Sequence, residues 1–190
     1  MSPSHSSLRF LLPFVALLWG CFGHAYAQQW TLQPSGTTAS LNGVFMATRW
    51  SGWCVGDNGA ILKTTDGGRT WSQQNSTTTV KLRAVFFADS IKGWAAGDSG
   101  TVLATANGGA TWNRQVTGTT QAFHTIFFSS PTTGWVGGAI YTILRTNTGG
   151  VLWQPMTNVT APTVTNLHFQ TPVSGCAVGT TANPGTGALM

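Results

Sequence analysis

The octapeptide TTDGGRTW, residues Thr64–Trp71, decides the fold because the chain repeats it. Residues Thr105–Trp112 read TANGGATW and residues Thr146–Trp153 read TNTGGVLW, so the stretch returns every 41 residues. Each copy ends in a large apolar residue and contains two adjacent glycines, which readily adopt the positive φ of tight turns. Repetition at a fixed period is typical of a structural unit rather than of a single catalytic site.

Other residues keep the same 41-residue spacing. The ladders are Trp30, Trp71, Trp112 and Trp153; Trp53, Trp94 and Trp135, followed by Cys176; Gly52, Gly93, Gly134 and Gly175; and Gly56, Gly97, Gly138 and Gly179. Each unit contains four short runs rich in β-branched and aromatic residues, separated by Gly, Asp, Asn and Ser. The first run is apolar on both faces, with Val85 and Phe87 on one and Phe86 on the other. Such a strand must be covered on both sides. Four strands in about 41 residues predict a β-propeller blade.

The predicted fold class is therefore all-β, with propeller blades of four antiparallel strands and about four blades present. The units fall near residues 41–72, 82–113 and 123–154, with a partial unit at 164–190. A lone fourth strand at Trp30 precedes them. Two explanations stay open: the chain is a fragment of a longer propeller, or the lone strand closes a ring of four blades. We expect an incomplete propeller, because the chain ends inside its fourth unit without a polar tail.

The first 27 residues have the order of a secretory signal. Arg9 precedes an apolar run, residues 10–22, and a small-residue cleavage site ends at Ala27. This pattern predicts cleavage after Ala27, which leaves residues 28–190 as an exported repeat region, periplasmic or secreted. An alternative is that LLWGC, ending at Cys21, acts as a bacterial lipobox and anchors the protein through a lipid on that cysteine.

Charge and cysteine content narrow the function classes. The chain has nine Lys and Arg residues against four Asp and no Glu. The basic residues are scattered, and no nucleic-acid-binding motif accompanies them, so no nucleic-acid partner is expected. Cys54 and Cys176 remain after the predicted signal. An exported protein could join them in a disulfide, and two buried free thiols are an equal alternative.

The repeated octapeptide has the chemistry of a turn. Its third position is Asp66, then Asn107, then Thr148, and each can accept backbone N–H bonds of its own loop. An acid–base catalyst would not occupy a slot filled by three residue types, and one carboxylate per turn is a poor calcium site. We expect no metal or cofactor here. The predicted structural turn residues are Asp66, Gly68, Trp71, Asn107, Gly109, Trp112, Gly150 and Trp153.

Whole units such as GWCVGDNGAILKTTDGGRTW, residues 52–71, resemble the Asp-box repeats of sialidase-like propellers. They are similar above all to the photosystem II assembly and stability factor family. The resemblance implies a scaffold without catalytic activity or cofactor, which binds a protein partner within a membrane complex. It also implies a location in the thylakoid lumen if the host is photosynthetic. Basic residues on the propeller face would meet the partner, and here only Lys63 and Arg145 share a repeat slot.

An enzyme is not expected. A sialidase needs a tyrosine nucleophile supported by a glutamate, and this chain has no glutamate. His124 and His168 lie in first strands and are predicted to be core or edge residues. The predicted function is therefore protein binding. The alternative is a periplasmic or surface adhesion module that binds glycans through exposed tryptophans.

Overall fold

The computed structural model describes residues 31–180 and the backbone of residues 187–189. The regular structure in this part consists of β-strands and one short 3₁₀ turn at Asp57–Gly59. Among the described residues, no helix is long and apolar enough to cross a membrane. The predicted signal segment, the lipobox cysteine and the lone strand at Trp30 lie outside the described residues.

Four antiparallel sheets follow one another along the chain, and each is a simple meander. Blade 1 contains β1 Leu41–Met46, β2 Gly52–Gly56, β3 Ile61–Thr64 and β4 Ser72–Gln74. Blade 2 contains β5 Leu82–Phe87, β6 Gly93–Gly97, β7 Val102–Thr105 and β8 Asn113–Arg114. Blade 3 contains β9 Phe123–Phe128, β10 Gly134–Gly138, β11 Ile143–Thr146 and β12 Gln154–Pro155. Blade 4 contains β13 Thr163–Thr171, β14 Ser174–Thr180 and β15 Gly187–Leu189. The predicted all-β fold of antiparallel propeller blades is confirmed.

The blades pack side by side through their first strands. Strand β1 contacts β5, β5 contacts β9, and β9 contacts β13. The first strands therefore line the inner side of the arc, and the fourth strands lie on its outer side because each sheet runs from first to fourth strand in order.

Aromatic stacking between neighbouring blades explains the tryptophan ladder of the second strands. The ring centroids of Trp53 and Phe87 are 3.5 Å apart, with the rings nearly parallel at 10°. The next two blade pairs repeat this contact, Trp94 with Phe128 at 3.5 Å and Trp135 with Phe169 at 3.7 Å. Burying one large aromatic pair at every junction removes much apolar surface from water. The 41-residue spacing of these tryptophans is thus the spacing of blade junctions.

The blade 1 end of the arc is open. Val44 is 64% exposed, whereas Val85 in the same repeat slot is buried. Leu41 and Met46 on the same face of β1 are also exposed. The expectation that first strands are covered on both faces holds for β5 and β9 but is wrong for β1, because no blade among the described residues packs against that side. The predicted incomplete propeller is confirmed for this part of the chain.

Candidate functional site

A β-bulge recurs in the first strand of every blade. The pairing register between first and second strands slips there, and one residue is left unpaired in each blade. These residues are Asn42, Arg83, His124 and Thr165, which are 41 positions apart and all polar. A bulge re-aims its side chain and often lies beside a functional site. We call these four residues the bulge row. It follows the inner side of the arc.

In blade 1, the bulge row forms a polar chain across a blade junction. Asn42 Nδ2 donates to Asp57 Oδ1 at 2.8 Å and to the carbonyl oxygen of Leu82 in blade 2 at 2.9 Å. Lys81 Nζ lies 2.9 Å from the same carboxylate oxygen of Asp57. The hydrogen bond from Asn42 and the bond and charge of Lys81 lower the pKa of Asp57. This carboxylate is therefore ionised at neutral pH.

In blade 2, the bulge row presents a forked ion pair. Arg83 donates through Nε to Asp98 Oδ1 and through Nη2 to Asp98 Oδ2, the latter at 3.2 Å. Both side chains are about one third exposed, so the pair is open to a partner. Burial lowers the pKa of His124 in the next blade, the positive charge of Arg83 lowers it further, and Asp98 opposes the shift. The imidazole is thus neutral at physiological pH and can both donate and accept a hydrogen bond.

The carboxylates beside the bulge row do not match the pair of a two-carboxylate glycosidase. A glycosidase of the two-carboxylate type needs one acid with a raised pKa. Asp57 has a lowered pKa, and Asp98 is held by Arg83. Within residues 31–180 and 187–189, no group of three His, Cys, Asp or Glu side chains could hold a metal ion.

The repeated octapeptide forms a tight turn between third and fourth strands, which we call the Gly-Gly turn. In blade 1, Thr64 Oγ1 accepts the N–H of Gly68 at 2.9 Å. Asp66 Oδ1 accepts the N–H of Thr70 at 2.9 Å, and Oδ2 accepts its hydroxyl at 2.6 Å. These two bonds from Thr70 are the main cause that lowers the pKa of Asp66 to about 2. The Asp66 carboxylate therefore forms these hydrogen bonds within its own turn.

The other two turns keep these bonds with different residues. Asn107 Oδ1 accepts the N–H of Thr111 at 2.9 Å, and its Nδ2 donates to the Thr111 hydroxyl at 2.9 Å. Thr148 Oγ1 accepts the N–H of Leu152 at 2.9 Å. The shared requirement is an oxygen acceptor, not a negative charge. The second glycine has positive φ in every turn, at Gly68, Gly109 and Gly150.

The tryptophans that end these turns differ in burial. Trp112 and Trp153 are buried and meet Phe87 and Phe128 edge to face, at 5.9 and 6.1 Å between centroids. Trp71 is only half-buried, because it lies at the open end of the arc.

Lys63 and Arg145, the predicted partner contacts, occupy equivalent positions on β3 and β11. The structure places them two blades apart and does not bring them together. Lys63 Nζ donates to the carbonyl oxygen of Gly108 in the next blade at 2.8 Å. The guanidinium carbon of Arg145 lies 5.7 Å from the centroid of the Trp135 ring.

The two cysteines are both free. Cys54 is buried in blade 1 and Cys176 is exposed in blade 4. Burial raises the pKa of Cys54 to about 11. Neither of the two open alternatives holds in full: the disulfide does not form in this structure, and of the two free thiols only Cys54 is buried.

Sequence reasoning missed the bulge row. The signal was a polar residue at a fixed offset in otherwise apolar first strands: LNGVFM, LRAVFF, FHTIFF and VTNLHF. His124 was treated alone, as a core or edge histidine, and its repeat partners were not compared with it.

The sheets and the turns define a protein built of β-propeller blades. A family model described as photosynthesis system II assembly factor YCF48 matches residues 23–120, just over half of the chain. The chain therefore belongs to this family. No match was found among curated proteins.

Solved structures share the fold. The structure titled "YCF48 bound to D1 peptide" is 23% identical, with a TM-score of 0.69 over 81% of this chain and 52% of that one. YCF48 from Cyanidioschyzon merolae is 19% identical, with a TM-score of 0.65 over 83% and 57%. The GH74 enzyme of Niastella koreensis is 16% identical, with a TM-score of 0.61 over 78% and 28%. The chain thus spans about half the length of the two YCF48 structures.

Proposed function

We propose that this chain is a non-catalytic scaffold that binds a segment of a protein partner, as an assembly factor for a membrane complex would. Family membership supports this class of function, and a solved relative is described as bound to a D1 peptide. The observation that carries the proposal is the bulge row, which sets one polar side chain per blade along the inner side of the arc.

A bound peptide segment must find partners for its own N–H and C=O groups. The bulge row and the carboxylates bonded to it supply both kinds. Arg83 keeps N–H groups that Asp98 does not use, Asp57 and Asp98 are acceptors, and the neutral imidazole of His124 can donate and accept. Since Asn42 and Arg83 already hold Asp57 and Asp98 in place, binding would lose little side-chain entropy at these carboxylates.

We propose that the Gly-Gly turns and Lys63 serve the fold rather than the partner. Asp66, Asn107 and Thr148 use their acceptor oxygens inside their own loops. The ammonium group of Lys63 in blade 1 donates a hydrogen bond to the Gly108 carbonyl of blade 2. We also propose that the protein acts outside the cytoplasm after loss of residues 1–27, as the sequence pattern of that segment predicts.

Calorimetric titration with a D1 peptide tests the proposed function. Arg83→Ala combined with His124→Ala should weaken binding at least tenfold, or about 1.4 kcal/mol, because two partner-facing groups are lost. Arg114→Ala is the matched control, since Arg114 lies on the outer strand β8 and makes one long hydrogen bond to Ser99 O. Equal affinities of the double variant and the control, with both folded by circular dichroism, would contradict the proposal.

A glycan-binding adhesion module is the second candidate, favoured by Trp50. This indole is 44% exposed, whereas Trp53, Trp94, Trp112, Trp135 and Trp153 are buried. Retention of the protein on a glycan array, lost in Trp50→Ala, would support this alternative over peptide binding.

A further inference from the structure

Two sets of loops meet at the end of the blades opposite the bulge row. The N–H of Gly67 in the first Gly-Gly turn donates to the carbonyl of Trp50, which lies in the loop between β1 and β2, at 2.9 Å. Blades 2 and 3 repeat this bond, from Gly108 to Ile91 and from Gly149 to Thr132, at 2.8 Å each. We call this surface the turn face. It comprises loops 47–51, 88–92, 129–133 and 172–173 and Gly-Gly turns 65–70, 106–111 and 147–152.

Large apolar side chains protrude from the turn face. Trp50, Ile91 and Val173 occupy one repeat slot in three blades, and all are exposed, Val173 to 89%. The third Gly-Gly turn adds Val151, which is 79% exposed, and Leu152. Exposed apolar residues gathered on one surface mark an interaction site. They stand at loop tips on successive blades, and Val151 also borders a groove between blades 2 and 3 that Lys92 and Thr132 line.

Basic residues flank these tips. The guanidinium carbons of Arg49 and Arg69 lie 4.8 and 5.9 Å from the centroid of the Trp50 ring. Lys92 follows Ile91 directly. The ion pairs found among the described residues are Lys81–Asp57 and Arg83–Asp98, so neither arginine beside Trp50 is held by a carboxylate there.

The turn face has a basic excess. Within these loops and turns, the charged side chains are Arg49, Arg69 and Lys92 against Asp66 and Asp89. Both carboxylates are engaged within the face. Asp66 accepts from Thr70, and Asp89 Oδ1 accepts the N–H groups of Ile91 and Lys92 at 2.7 Å each. Charge complementarity therefore selects an anionic partner.

We propose that the turn face docks on an anionic lipid surface. Tryptophan favours the headgroup level of a bilayer, aliphatic tips favour the layer beneath it, and Lys and Arg near the surface attract anionic lipids. The carbonyl oxygens of Trp50 and Ile91 accept the N–H groups of Gly67 and Gly108. The N–H groups of Trp50 and Ile91 donate to Thr48 Oγ1 and Asp89 Oδ1. These two tip residues can therefore enter the headgroup region with their backbone groups paired.

A lipid surface fits this arrangement better than a second protein. Binding energy at protein interfaces concentrates in a few anchors that enter central pockets. Here the apolar residues are spread over four blades as single tips, each near loop backbone, with the charges between them. The inference goes beyond the proposed peptide binding and uses the opposite end of the blades, so either one can fail without the other.

Co-sedimentation of the full chain with vesicles of 70% phosphatidylcholine and 30% phosphatidylglycerol tests the charge contribution. The double variant Arg49→Ala/Arg69→Ala should lower the partition coefficient about 30-fold, at about one kcal/mol per basic residue near the surface. Arg114→Ala is the control, because Arg114 bonds to Ser99 O near the opposite end of blade 2. It should leave the partition coefficient unchanged.

The apolar contribution has its own pair of variants. Val151→Ser/Val173→Ser should lower the partition coefficient about tenfold, because two inserted side chains are lost. Val116→Ser is the matched control, since Val116 is 82% exposed and lies beyond β8, at the other end of blade 2. Neither change touches a buried residue, so both variants should fold.

Hydrogen exchange in the presence of vesicles locates the contact. Added anionic vesicles should slow exchange at loops 47–51 and 88–92 and leave the turn at 98–101 unchanged. Vesicle binding without protection of these loops, unchanged partition of both double variants, or no vesicle binding at all would overturn the proposal. The last outcome would leave a protein partner as the occupant of the turn face.

Discussion

Trp112→Ala is the sharpest test of how this fold is held together. The indole of Trp112 is 3% exposed and meets Phe87 edge to face at the junction of blades 1 and 2. Its Nε1 has no hydrogen-bond partner among the described residues, so the substitution removes packing and no hydrogen bond. A buried tryptophan removes about 200 Å² from water, and at about 25 cal/mol per Å² that is about 5 kcal/mol.

The measured loss should be somewhat smaller than this area estimate. Alanine keeps one methyl group, and the unfolded chain already buries part of its apolar surface. We therefore expect a loss of about 3–5 kcal/mol in the free energy of unfolding, which includes the cavity left behind. For a domain of this size, the thermal midpoint should fall by about 10 °C. Urea denaturation followed by circular dichroism provides the free energy directly.

Asp66→Asn is the control for this experiment. Asn107 makes the same turn with an amide in blade 2, where its Nδ2 donates to the Thr111 hydroxyl. In blade 1, the equivalent hydroxyl of Thr70 donates to Asp66. The substitution should therefore change the free energy of unfolding by less than about 0.5 kcal/mol at pH 7. If Asp66→Asn is more destabilising than Trp112→Ala, the turns carry the fold and the account of junction packing fails.

Three further outcomes are expected. The pKa of Asp66 is lowered to about 2, so its stabilising contribution is complete above the unfolded pKa of about 4 and is lost as pH falls through about 2. In thermal melts, wild type should therefore lose stability relative to Asp66→Asn in that acid range, because asparagine does not titrate, and a difference that stays constant with pH would contradict this. Iodoacetamide at pH 7.5 should alkylate the exposed Cys176 and spare the buried Cys54, as read by peptide mass spectrometry; equal labelling would refute this. Gly100→Ala places a methyl group against a backbone carbonyl at φ +62° and should lower the free energy of unfolding by about 3 kcal/mol or more. Gly118→Ala, at φ +72° in open space, should lower it by about 1 kcal/mol in the same urea denaturation. Equal losses would mean that backbone strain alone decides both.

The fold could be predicted because each blade is specified locally. A strand with apolar residues on both faces, such as LRAVFF in β5, needs two covering layers wherever it lies. The Gly-Gly turn needs only its own residues, so Thr64, Asp66 and Gly68 specify it within one loop. Repetition then made each local signal stronger than it would be in a single copy.

The candidate site could not be predicted in the same way. The bulge that exposes Arg83 is a property of pairing between β5 and β6, and its mark in the sequence, a polar residue at one offset, stands out only when the repeats are compared. The ion pair with Asp98 joins residues 15 positions apart, and the pKa of His124 is lowered first by burial and then by the charge of Arg83 in another blade. The bond from the Lys63 ammonium group to the neighbouring blade likewise depends on how the blades pack.

The sequence by itself determined the strands, the turns and the 41-residue period, because these depend on neighbours along the chain. Only the tertiary structure decided which faces are covered. Val44 and Val85 fill the same slot in identical patterns, yet one is exposed and the other buried, because burial depends on whether a second blade packs there. It also decided that polar residues far apart in sequence, such as Asn42 and Arg83, follow one inner edge, since only the packing of successive blades aligns them.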